Sequence, residues 1–197
     1  AVFTSAIKTS VFTDCRYFTL AVQLDNASPM TSNLIILDRD GVINYDSDDY
    51  IKNAEEWIPL PGSIEAISEL SRAGFKICVA TNQSGLGRGL FTEYDLSNMH
   101  ELMRLVVEEQ GGKIDGIFFC PHTPEDKCAC RKPGIELLNQ IEQQFSQSVE
   151  NSWFIGDTEK DIDAALAKHC KPILVLTGKG SLTQATIKPE KLINIPV

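Results

Sequence analysis

The chain has 197 residues, enough for one domain with a sizeable core and too few for two full ones. Its formal charge of −9 tells against a general nucleic-acid binder, because phosphate backbones are held by clusters of Lys and Arg. No run approaches the ~18 apolar residues of a membrane span, and neither an internal repeat nor a low-complexity tract is present, so no membrane partner is expected.

Residues 1–29 are rich in Thr, Ser and Phe, and their apolar stretches are broken by Lys8, Asp14 and Arg16, so they lack the uninterrupted core of a secretory signal. A strand is possible over 17–24. With Met30 standing just before the organised part, 1–29 reads as an extension and 30–197 as the main domain.

From residue 34 onward short apolar runs alternate with helical stretches. Leu34-Ile35-Ile36-Leu37 reads as a strand covered on both faces, the pattern of a parallel sheet. Further strands are expected over 75–80, 114–119, 153–155 and 173–176. Between them, helices are expected over 63–72, after Pro61-Gly62, and over 94–109, ended by Gly111-Gly112. Ile135, Leu138, Ile141 and Phe145 mark a third helix with one apolar stripe, and Ile162, Ala165 and Leu166 a shorter fourth. This alternation predicts an α/β fold, a doubly wound parallel sheet with helices on both faces. No insertion is long enough for a large cap domain.

Open sheets of this kind bind ligands outside the carboxyl ends of their strands. The first strand runs into Asp38-Arg39-Asp40-Gly41, the second into Thr81-Asn82-Gln83-Ser84-Gly85, the third into Cys120-Pro121-His122, and the fourth into Gly156-Asp157-Thr158-Glu159-Lys160-Asp161. Asp38 and Asp40 can share a side if the extended conformation continues that far. Two acids so close repel each other unless a cation sits between them or one holds a proton. A calcium loop does not fit, because Val42 and Ile43 stand where a further Asp or Asn and a Gly are required.

A phosphate monoester matches what these strand ends offer. A carboxylate can attack phosphorus, a second acid can protonate the departing oxygen, and magnesium can bridge acid and phosphate. Asp157 is placed to supply a further ligand, Thr81 a hydroxyl and Lys132 a full positive charge.

Asp38-x-Asp40-Gly, Thr81, Lys132 and Gly156-Asp157-x₃-Asp161, in this order over 33–180, resemble the four motifs of the haloacid dehalogenase superfamily phosphatases. The resemblance implies that Asp38 is the nucleophile, that Asp40 is the general acid/base, and that Thr81 and Lys132 serve the transferring phosphate. It also implies Mg²⁺ on the Asp38 carboxylate, the Asp40 carbonyl and the Asp157 carboxylate. Asp161 either contacts the metal region or caps the helix behind it. The family often has Lys after the Asp of the fourth motif, where this chain has Thr158.

Of the six cysteines three are clustered, and the clustering matters more than the count. Cys120, Cys128 and Cys130 lie with His122 inside eleven residues, which matches a closed structural Zn²⁺ site better than a secreted disulfide framework or a redox dithiol. A reducing cytoplasm suits such a chain. Cys15, Cys78 and Cys170 read as packing residues. Because the loop leads straight into Arg131-Lys132-Pro133, zinc would fix the basic pair beside the pocket rather than perform chemistry.

This loop, together with Asn82-Gln83-Ser84-Gly85-Leu86-Gly87-Arg88-Gly89, resembles the heptose 1,7-bisphosphate 7-phosphatase branch, whose near relatives include histidinol-phosphate phosphatases. The implied substrate is a small phosphorylated sugar, handled by a monomer. Specificity would lie in short loops, 45–58, 84–91 and 120–133. Arg131 and Arg88 are surplus cations suited to a second phosphate, and Asn82 either meets a sugar hydroxyl or shapes its loop. A histidinol-phosphate phosphatase would draw on Asp46, Asp48, Asp49 and Trp57. A zinc-stabilised binding module with a decayed site is the reading from a different class, and the intact acids stand against it.

Overall fold

The computed structural model describes residues 32–193 and 195–197. The proposed extension 1–29, the strand over 17–24 and Cys15 lie outside the described residues. Five parallel strands form one sheet in the order β3-β2-β1-β4-β5. They are β1 (Leu34–Leu37), β2 (Lys76–Asn82), β3 (Gly116–Cys120), β4 (Trp153–Gly156) and β5 (Lys171–Leu174).

Alternation along β1 explains the two cores. Ile35 and Leu37 face one side and pack with Ile77 and Val79 under α1 (Ser63–Arg72) and α3 (Glu93–Glu109). Leu34 and Ile36 face the other, with Cys78, Ala80 and Phe154, under α4 (Glu136–Phe145) and α5 (Glu159–Ala167). All four β1 residues are buried, as a strand covered twice requires. The chain winds outward through β2 and β3, then returns to the far side of β1 for β4. That reversal puts the later helices on the opposite face and opens a crevice at the carboxyl ends of β1 and its neighbours.

Several expected boundaries move. β2 continues through Thr81 and Asn82, so both are strand residues rather than loop residues. β5 begins two residues earlier than expected, because Pro172 stands in an edge strand where its missing donor is tolerated. Ile135 is at the N-cap of α4 and 36% exposed, leaving Leu137, Leu138 and Ile141 as the buried stripe. Leu166 is exposed on α5, where Ala164 and Ala165 meet the sheet instead. The 84–91 loop contains a one-turn helix, α2 (Ser84–Gly87), and two short helices follow β5, α6 (Gly180–Thr186) and α7 (Pro189–Leu192).

Between β1 and α1 the chain makes only isolated bridges, Asp40 with Asn44 and Asn44 with Pro59, so among the described residues no cap domain is inserted there. No helix among them is long and apolar enough to cross a membrane.

Candidate active site

The parallel register of β1 and β4 pairs Leu37 with Ile155, so Asp38 and Asp157 leave adjacent strand ends. The Asp38 amide donates to the Ile155 carbonyl at 2.9 Å, which holds the acid at the sheet edge after the strand has formally stopped. Gly41, at φ +81°, turns the chain away, and a Cβ there would collide with the Asp157 carboxylate. Asp157 is buried and accepts a hydrogen bond from the Lys179 amide at 2.8 Å.

Carboxylate oxygens of Asp38, Asp157 and Asp161 lie within 4.8 Å of one another. Against them stands the buried Lys132, whose Nζ is 2.9 Å from Asp38 Oδ1 and 2.6 Å from Asp161 Oδ1. Three acids and one ammonium leave negative charge in surplus. Burial pushes the Asp38 carboxyl well above the usual carboxylate range, and Lys132 offsets this only in part. Burial and the neighbouring Asp38 push Asp157 the same way. Burial opposes the charge on Lys132, but Asp161 and Asp38 outweigh it and hold the ammonium protonated. Hard oxygen donors that resist ionising together are the chemistry a divalent cation relieves, so the donor set fits Mg²⁺.

Asp161 is occupied otherwise. Its Oδ2 accepts from the Thr158 amide and hydroxyl in a capping box at the start of α5, while its Oδ1 pairs with Lys132. It therefore caps the helix and aims the lysine, leaving Asp38 and Asp157 as the carboxylates open to a cation.

Asp40 sits in a different environment. It lines the same cavity as Asp38 but stands outside the cluster of Asp38, Asp157 and Asp161. Oδ1 accepts from Asn44 Nδ2 at 2.9 Å and from Arg39 Nε at 3.1 Å, and Oδ2 accepts from Gln83 Nε2 at 2.8 Å. Burial would raise its pKa, but the Arg39 charge and these donors outweigh it and hold the carboxyl below its ordinary range. Arg39 is itself 1% exposed, fixed between Asp40 and Gln83.

Thr81 is buried at the end of β2 and lines the same cavity, of about 240 Å³, at the small end for a ligand site. Asn82 lines it too, yet both halves of its amide are engaged: Nδ2 donates to the Lys132 carbonyl at 3.1 Å and Oδ1 accepts the Lys132 amide at 3.0 Å. Of its two expected tasks the structure displays the loop-shaping one, and the loop it shapes carries the lysine.

Cys120, at the end of β3, meets His122, Cys128 and Cys130 in one cluster. Sulfur separations are 3.2–3.5 Å, and His122 Nδ1 is 3.2 Å from Cys130 Sγ and 3.7 Å from Cys120 Sγ. Ligands at ~2.3 Å from a tetrahedral zinc would be about 3.8 Å apart, so the cluster needs only slight expansion to hold one. All three cysteines are free thiols rather than a disulfide. Among these loop residues Arg131 reaches the cavity, steadied by a 3.3 Å hydrogen bond from Nη1 to the His122 carbonyl. Arg88 does not line the cavity. It points across to Glu125 in the cysteine loop at 3.6 Å, an exposed pair.

Trp57, considered for an amine-bearing substrate, is 4% exposed and donates its Nε1 hydrogen to Asn44. It belongs to the core. Asp46 and Asp48 do line the cavity, but both face Lys179, at 3.3 and 3.2 Å. Sequence reasoning missed Arg39, Asn44, Gln83 and Lys179. Gln83 was findable: it is two residues after Thr81, the spacing that returns a side chain to the same face of an extended segment.

A family model described as HAD-hydrolase-like matches residues 129–194. The D-glycero-β-D-manno-heptose-1,7-bisphosphate 7-phosphatase of Pseudomonas aeruginosa is 52% identical over 161 residues, covering 82% of this chain and 90% of its own. The chain belongs to the heptose-bisphosphate phosphatase family of haloacid dehalogenase-like hydrolases. The same enzyme of Pseudomonas putida is 51% identical over 80% of this chain and 90% of its own. Within this family, the crystal structure of the D,D-heptose 1,7-bisphosphate phosphatase of Bordetella bronchiseptica, complexed with magnesium and phosphate, superposes with a TM-score of 0.75. It is 46% identical and the match covers 77% of this chain and 85% of that one.

Proposed function

We propose that this chain hydrolyses the 7-phosphate of D-glycero-β-D-manno-heptose 1,7-bisphosphate through an aspartyl-phosphate on Asp38, with Mg²⁺ at the Asp38 and Asp157 carboxylates and the Asp40 carbonyl, and a structural Zn²⁺ on Cys120, His122, Cys128 and Cys130. The observation that carries this reading is the meeting of Asp38, Asp157 and Lys132 with Arg131 in one small cavity at the strand ends. The identity to relatives of that name and the magnesium and phosphate held by the Bordetella enzyme support it.

The Asp38 carboxylate attacks phosphorus as the ester P–O bond breaks, and the departing sugar oxygen takes a proton from Asp40. A bound phosphate monoester adds negative charge beside Asp40 and raises its proton affinity for that step. Thr81 and Lys132 donate to the transferring oxygens. Water then attacks the aspartyl-phosphate, Asp40 takes its proton, and inorganic phosphate leaves with Asp38 restored. Magnesium, when bound, lessens the repulsion between nucleophile and phosphate. Arg131, as a planar fork at the cavity mouth, suits the phosphate that is not transferred. Four protein ligands would close the zinc site, so its task is to order the loop that presents Arg131 and Lys132.

The test compares phosphate release from heptose, fructose and histidinol phosphates with Mg²⁺, for wild type and Asp38→Asn. Wild type should prefer the heptose bisphosphate, and the variant should lose on the order of 10⁴–10⁶-fold, the scale for removing a nucleophile. Retained activity in Asp38→Asn rejects the nucleophile, and preference for histidinol phosphate rejects the substrate.

A further inference from the structure

We propose that Gln83 is a positioning residue that couples Asp40 to Thr81, with Arg39 fixing which way its amide points; this rests on the roles given to those two residues above. Gln83 is 4% exposed, so its amide must find partners inside the protein. The two Nε2 hydrogens go to Asp40 Oδ2 at 2.8 Å and Thr81 Oγ1 at 2.9 Å. Oε1 accepts from Arg39 Nη2 at 3.0 Å. The reversed amide would turn its oxygen toward the Asp40 carboxylate and its hydrogens toward the guanidinium, losing both of those bonds, and would draw the Thr81 hydrogen onto itself. Main-chain anchoring adds to this, since the Gln83 amide donates to the Cys120 carbonyl at 2.8 Å.

Two consequences follow for the chemistry. The Thr81 hydroxyl accepts from Gln83, so its single hydrogen is directed elsewhere and is available to a phosphate oxygen in the cavity it lines. The Asp40 carboxylate is gripped on both oxygens, by Asn44 and Arg39 on Oδ1 and by Gln83 and Arg39 on Oδ2, so its rotation is restrained while a proton is given up and later recovered. None of the Gln83 side-chain bonds joins secondary-structure elements for their own sake. Each ends on a group of the site or on Arg39.

Leaving-group dependence separates this role from simple packing. An alkyl phosphate such as fructose bisphosphate needs its departing oxygen protonated, whereas p-nitrophenol departs without help. Gln83→Leu and the near-isosteric Gln83→Glu are compared with wild type, with thermal melts to verify folding. In a folded variant, kcat for the sugar phosphate should fall about 10–100-fold, the scale of a lost hydrogen bond to a charged group, with KM moving less than threefold. The first-turnover burst of p-nitrophenol from p-nitrophenyl phosphate should fall less, because only the share carried through Thr81 is felt where the leaving group needs no proton. Arg39→Lys, which keeps the charge and loses the fork, should give the same pattern. Equal losses on both substrates, a change confined to KM, or no loss in the folded variants would overturn the proposal. If wild type releases p-nitrophenol but no phosphate from any sugar phosphate, the substrate reading fails instead, and the comparison is repeated with a simple alkyl phosphate.

Discussion

The floor of the cavity and its cysteine wall meet at Lys132 but are built on opposite terms. The floor is fixed by backbone: Asp38 and Asp157 leave paired strands, and Asp161 starts a helix. Its difficulty is charge, since three acids, two of them buried and Asp38 partly so, face one lysine. The wall, from Cys120 to Pro133, has a single 3₁₀ turn at Pro124–Asp126 and much exposed surface. Its difficulty is order, since few buried apolar contacts offset the entropy of fixing such a loop. Each deficit is one a metal ion relieves, but with different consequences for its loss. Removing the cation of the floor should stop chemistry and spare the fold, whereas removing the ion of the wall should loosen the loop and spare the nucleophile.

The largest effect should come from the floor. Asp157→Asn removes one of the two open carboxylates, and activity at fixed Mg²⁺ should fall about 10³-fold, matching several kcal/mol of lost charge stabilisation. Half-saturating Mg²⁺ should rise, while melting changes little or increases, because burial and Asp38 already push the Asp157 carboxyl upward. A variant with normal Mg²⁺ dependence would remove Asp157 from the metal site.

A smaller loss is expected at the wall. Cys128→Ser should release bound zinc, measured by metal analysis, and raise KM for the bisphosphate about tenfold as Arg131 loses its fixed place, with kcat lowered less. Amide exchange over 120–133 should quicken while β1 and β4 stay protected. An unchanged zinc content would reject the four-ligand set. A fall in kcat alone would mean that the loop governs Lys132 rather than Arg131.

How much of this was readable beforehand follows the same division. The parallel sheet and the acids of the floor were legible because β1 is a continuous buried run that ends at a carboxylate, and parallel sheets put ligands at such ends, whereas the order of the strands in the sheet was not. The cysteine spacing was legible because metal ligands are local in sequence. Contacts spanning distant segments were not. Asn82 pairs with the Lys132 main chain fifty residues away, and Trp57 is drawn into the core by Asn44, so neither task is visible in its own neighbourhood. Arg39 was hidden for another reason: an arginine between two acids reads as exposed, and only the folded chain reveals it as buried.

The smallest effect tests the back of the floor. His100 on α3 is half-buried, its ring tilted against Phe119 with centroids 5.8 Å apart. Burial first, then Arg39, pushes its pKa down from 6.5 to about 3; Asp40 works in the opposite sense and Arg104 adds to the depression. As pH falls below 6.5 the unfolded chain takes up a proton at this position and the folded one does not, so stability drains from the native state until about pH 3 and then stops changing on this account. His100→Gln cannot titrate. Its melting temperature should therefore gain on that of wild type as pH falls from 7 toward 4, by a few degrees at most, while other acid-sensitive groups cancel in the difference. A gap independent of pH, or an imidazole that titrates near 6.5 by proton NMR, would mean that His100 is open to water rather than enclosed behind the floor, and that neither burial nor the Arg39 charge depresses it.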